Sequence, residues 1–136
     1  MLTGTNKKLV IYSDKSELSK VEKFIKEIFE ENNLKHTNYN RVLLCVSEAV
    51  INSIEHGNQN NKNKRVTIEA ECYSHRIFVK IKDEGNGFNL EMIDDPTSPA
   101  NVKKESGRGI HIIRSLSDSL KYNSKGNSVQ LKIECK

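Results

Sequence analysis

Two runs joined at a short turn, RVTIEAEC (65–72) and RIFVKIKD (76–83), alternate apolar and polar residues with a period of two. Val66, Ile68 and Ala70 share one face against Thr67, Glu69 and Glu71, and Ile77, Val79 and Ile81 repeat the pattern beyond YSHR. That periodicity suits a half-buried strand and not a helix, so the pair predicts an antiparallel hairpin with one wet face. SLKY, the turn NSKGN and SVQLKIEC predict a second hairpin near the end of the chain, with Val129, Leu131 and Ile133 inward. A sheet with one dry face needs a second layer to cover it.

Helical spacing supplies that layer. KKLVIY (7–12) reads as a strand, and Asp14 and Glu17 follow at capping-box spacing. Leu18, Val21, Phe24, Ile25, Ile28 and Phe29 then recur at helical intervals to about Glu31. A second, more apolar helix is expected from Tyr39 to His56, with Asn38 as its N-cap and Gly57 closing it. Ile110, Ile112, Ile113 and Leu116 predict a short third helix, after a polar stretch holding both prolines. The order β, α, α, ββ, loop, α, ββ predicts an α/β (α+β) two-layer sandwich, with a mixed, mostly antiparallel sheet and helices on one face. Residues 1–136 are expected to form a single domain.

Composition narrows the function. Twenty-two basic against 18 acidic residues give a net charge of +4, spread along the chain, and Trp is absent. This argues against a nucleic-acid surface, which needs a basic stripe interleaved with aromatics. Cys45, Cys72 and Cys135 form no CxxC pair and suit reduced thiols in the cytoplasm. The N-terminal apolar run is too short for a signal peptide, and no window approaches a membrane span.

Three segments carry candidate chemistry. In VSEAVINSIEHGN, Glu48, Asn52 and His56 recur every four residues, so they share one stripe of the second helix beside apolar Val46, Ala49 and Val50. Asn52 offers a hard oxygen of the kind Mg²⁺ favours, and Glu48 lies near enough to deprotonate an attacking hydroxyl. In DEGNGF, Gly85 and Gly87 let the backbone approach a flat ligand, and Asp83 can accept a hydrogen bond from an exocyclic amine such as that of adenine. In SGRGIHIIR, Gly107 and Gly109 free amide hydrogens at a helix start and Arg108 adds a charge, which makes an anion site. Each segment alone also fits a plain structural role: a polar stripe reaching the surface, a glycine turn, a hinge. In series, about 30 and 24 residues apart, they describe one nucleotide from three sides.

This ordered set resembles the Bergerat-type (GHKL) ATPase superfamily, which includes gyrase and the histidine kinases. Within it, SEAVINSIEHGN, DEGNGF and SGRGIHIIRSLSD are similar to the anti-sigma factor serine/threonine-protein kinase group. The resemblance implies Glu48 as general base, Asn52 as Mg²⁺ ligand and Asp83 on the adenine amine. It also implies Gly85 and Gly87 along the base pocket, Gly107, Arg108 and Gly109 on the phosphates, and a lid over about residues 89–106. Where related ATPases have a Gly-Thr pair entering the last strand, this chain reads GNSVQL, and Ser128 keeps the hydroxyl. The implied activity is transfer of the ATP γ-phosphate to a serine of a STAS-type anti-anti-sigma protein, with sequestration of a sigma factor by a homodimer. Two other readings stay open. One is a non-catalytic ATP-binding switch. The other is a histidine-kinase catalytic domain, although His36 sits in a loop and not in a dimerisation helix.

Overall fold

The computed structural model describes residues 5–85, 113, 116–123 and 127–135. Strand β1 (Thr5–Tyr12) leads through a short 3-10 turn into helix α1 (Leu18–Asn32), and a second 3-10 turn leads into helix α2 (Tyr39–Asn52). Strands β2 (Arg65–Tyr73), β3 (Arg76–Lys82), β4 (Ser119–Tyr122) and β5 (Ser128–Glu134) follow. The sheet order is β1-β2-β3-β5-β4, and all four pairings are antiparallel. Both predicted hairpins are present.

Burial alternates along β2 and β3, as a one-sided sheet requires. The dry face packs Val66, Ile68, Ile77, Val79, Ile81, Leu131 and Ile133 against Val21, Ile25 and Ile28 of α1 and Val42, Val46 and Val50 of α2, in one continuous core. On the wet face the register sets Glu69 opposite Lys80, a favourable cross-strand pair. Lys7 ties β1 to α1 through Glu27 at 3.3 Å and Glu31 at 2.6 Å. None of the described helices is long and apolar enough to cross a membrane.

Helix ends depart from the expectations in instructive ways. Asp14 accepts from the Ser16 amide at 3.0 Å, but Glu17 reaches the Tyr12 amide, because the Asp14 N–H already bonds Tyr12 O. The capping box is therefore only half formed. Asn38 precedes α2 but makes no side-chain cap, since its backbone is itself helical and continues the 3-10 turn. The regular part of α2 stops at Asn52, not His56: residues Ser53–Gly57 form a wider turn, in which the Asn58 amide bonds the Ser53 carbonyl five residues back at 2.8 Å. Gly57 is thus inside the last turn, and Asn58 is the capping position. The expected third helix falls mostly outside the described residues; Ile113 and Leu116 are helical.

Candidate active site

The wide turn re-aims the residues that follow Asn52, Ser53–Gly57 and Asn58. One extra residue in a turn re-aims the side chains beyond it, and such turns recur where a helix serves a site. Asn52 and Ser53, at the point of change, are 6% and 5% exposed, whereas His56 turns out to solvent. Asn52 therefore faces the sheet. Among the described residues its buried Nδ2 has no hydrogen-bond partner, although a buried amide hydrogen normally has one. Glu48, one turn earlier, is half-buried.

Opposite α2, β3 ends at Lys82 and the chain turns through Asp83, Glu84 and Gly85. Central position in the sheet fixes this segment on both sides. The Asp83 amide donates to Asn127 O at 2.9 Å, which aligns it with the start of β5. The Asp83 carboxylate is 2% exposed and accepts from the Gly85 amide at 2.8 Å. Two glycines let this segment press on the end of α2. A methyl group on Gly57 would lie 2.1 Å from Asp83 Oδ2, and one on Gly85 would lie 1.8 Å from the Gly57 carbonyl oxygen. No side chain fits between the two layers there.

The turn from β4 to β5 closes the third side. Asn123 Oδ1 accepts from the amides of Asn127 (3.0 Å) and Ser128 (3.1 Å), and Asn123 Nδ2 donates to Asn127 Oδ1 at 2.7 Å. Asn127 and Ser128 are buried.

Asn52, Asp83 and Ser128 line one narrow cleft with Ala49, Ser53, Ile81 and Tyr122. Three residues predicted from separate segments thus converge. The cleft's volume of about 10 Å³ holds roughly one water, so it is the polar floor of a site. On the opposite, wet face of the sheet a separate groove of about 350 Å³ carries Lys80, Lys82 and Lys121. Glu48 does not line the cleft. Gly87, Gly107, Arg108, Gly109 and the expected lid lie outside the described residues.

Residues 11–133 match the histidine kinase-like ATPase domain family. The chain belongs to that family. An anti-sigma F factor of Clostridium beijerinckii is 38% identical over 101 residues, covering 71% of this chain and 70% of that protein. The serine-protein kinase RsbW of Listeria innocua is 30% identical over 93 residues, covering 63% of this chain and 59% of the kinase. Against the Listeria kinase the match therefore spans less than two thirds of the relative's length. A crystal structure of the RsbU and RsbW domains of a Mycobacterium tuberculosis protein superposes with a TM-score of 0.65, over 95% of this chain and 31% of that one, at 12% identity. At that identity the likeness is one of fold, and the fold is the Bergerat type.

Several residues that shape the site of this histidine kinase-like ATPase domain carry no distinctive sequence signal. Gly57 has the sequence position of a helix stop, yet it is there for the close approach of Asp83. Asn123 and Asn127 read as turn residues, although they brace the β5 side of the cleft. Asn58 opens a polar run, NQNNKNK, and looked like loop. The one available signal was position: Gly57 and Asn58 directly follow a helix already bearing functional residues.

Proposed function

We propose that this domain binds ATP over the α2–β3–β5 cleft and transfers its γ-phosphate to a serine of a protein acceptor. The observation that carries this reading is the convergence of Asn52, Asp83 and Ser128 on one buried polar cleft. Asp83 accepts a hydrogen bond from the adenine amine; Gly85, whose missing side chain admits the end of α2, holds the Asp83 turn beside the base pocket, and Gly87 lies along that pocket. Ser128 contributes its hydroxyl at the rim. Gly107, Arg108 and Gly109 hold the phosphates through amides and charge. Among the described residues no three His, Cys, Asp or Glu side chains gather to hold a metal. A donor set limited to the Asn52 oxygen suits Mg²⁺ carried in with phosphate oxygens. Magnesium, when bound, supplies charge neutralisation on the phosphates. Glu48 takes the proton of the serine hydroxyl as the Oγ–P bond forms and the bond from the γ-phosphorus to the bridging oxygen breaks, releasing ADP.

The acceptor we infer, supported by the names of the relatives, is a STAS-type anti-anti-sigma protein, and the second partner is a sigma factor held by a cytoplasmic homodimer. The test is incubation with Mg-ATP and an anti-anti-sigma protein, followed by mass spectrometry. A phosphoserine on the acceptor is expected. Glu48→Gln should keep ATP affinity within about twofold and slow transfer by roughly 10²–10⁴. Transfer at the parental rate by that variant would remove Glu48 from the role. ATP binding with no phosphoserine under any partner would leave the domain a non-catalytic switch.

A further inference from the structure

We propose that Asn58 is a positioning residue that holds Asp83 in place and thereby sets the preference for adenine; this rests on the nucleotide reading above. Asn58 is 1% exposed, and its amide group is spent on three separate segments. Oδ1 accepts from the Glu84 N–H at 2.8 Å. Nδ2 donates to Ser13 Oγ at 2.7 Å and to the Arg65 carbonyl at 3.0 Å. Ser13 Oγ in turn donates to Lys64 O at 2.8 Å. One buried side chain thus joins the residue after β1, the start of β2 and the residue after Asp83.

The backbone of Asn58 is fixed as well, its own N–H closing the wide turn onto Ser53 O at 2.8 Å. The bond to Glu84 is made from a rigid anchor. Glu84 sits between Asp83 and Gly85, and the Gly85 amide is itself bonded to Asp83 Oδ1. Releasing the Glu84 amide would leave Glu84 tied only by its carboxylate on the Arg65 amide and would loosen the Asp83–Gly85 turn, although Gly57 and Gly85 limit how far it can go. A hydrogen bond to a base amine needs its acceptor placed within a few tenths of an ångström, so rotation costs recognition of the amine before it costs general binding. The amide suits this role better than a carboxylate. Asp at this position would keep the acceptor for Glu84 but set a second oxygen against the Arg65 carbonyl.

The experiment compares ATP with inosine triphosphate, which lacks the exocyclic amine, in binding assays on the parental chain, Asn58→Ala and Ser13→Ala. The parental chain should prefer ATP. Asn58→Ala should bind ATP about tenfold more weakly and inosine triphosphate nearly unchanged, so that the preference collapses. Ser13→Ala removes one anchor of Asn58 and should erode the preference by about threefold; it decides the matter if Asn58→Ala does not fold. A merely structural Asn58 would weaken both nucleotides alike. Parental preference surviving in either folded variant overturns the positioning role alone. A parental chain that binds neither nucleotide overturns the nucleotide reading, and the role of Asn58 with it.

Discussion

Gly57 sets how closely the end of α2 can approach the segment after β3. Its replacement by Ala would place a methyl carbon 2.1 Å from Asp83 Oδ2, and the carboxylate has little freedom to yield because the Gly85 amide holds its other oxygen. Gly57→Ala should therefore displace Asp83 and weaken ATP binding by tenfold or more, measured by calorimetry. An unchanged affinity would mean that Asp83 does not read the base. The three thiols make a different argument at the same scale. Burial pushes Cys45 and Cys135 up from 9.0 to about 11 and raises Cys72 as well. A thiol that holds its proton more tightly when folded contributes stability that is fully present below the unfolded value and lost as pH rises through the folded one. Unfolding midpoints in urea should consequently fall between pH 9 and 11. Cys45→Ala and Cys135→Ala should each flatten that slope relative to the parent. Equal slopes in parent and variants would place those thiols in contact with water.

The hairpin of β2 and β3 shows what a pattern can and cannot carry at the scale of an element. Its two-residue loop holds Ser74 at φ 51° and His75 at φ 62°, the left-handed pair of a type I′ turn. Neither residue favours that conformation. Replacing the pair with Asn-Gly should stabilise the fold by about 1 kcal/mol, read from the urea midpoint. The turn lies at the end of β3 away from Asp83, so ATP affinity should stay constant. The strands themselves were legible, because alternation of apolar residues is enough to assign them once one face is buried. The end of α2 was not. A wide turn differs from a regular one by a single residue per turn, and Ile54 remains an apolar position in either. The cleft was legible where the residues have few other uses, as with Asn52 and Asp83 flanked by glycine. It was illegible where the residue type is common in turns: Asn58 meets Ser13 and Glu84 at separations of 45 and 26 residues, and nothing local marks one asparagine among the four in NQNNKNK as buried.

The molecule as a whole places its polar cleft on the seam between layers. Asn52 and Ser53 come from the helical layer; Asp83, Asn127 and Ser128 come from the sheet. Both layers share one core, with Ile54 and Ala49 of the helical side and Ile81 and Val129 of the sheet side packed beside the cleft. A ligand that bridges the seam binds only when the layers are joined, so it stabilises the folded chain by mass action. At a nucleotide concentration a hundredfold above Kd the gain is about 2.7 kcal/mol. For a chain of this length each kcal/mol raises Tm by roughly 3–4 °C, so saturating Mg-ATP should raise Tm by roughly 8–11 °C. The same titration in EDTA isolates the share that depends on the metal. Asn52→Ala should lose that share and retain the smaller shift given by ATP alone, because Asp83 and Ser128 still meet the base. A metal-dependent shift persisting in Asn52→Ala would move the Mg²⁺ ligand elsewhere, and a parental chain indifferent to ATP would mean that the seam is a structural contact and not a nucleotide site.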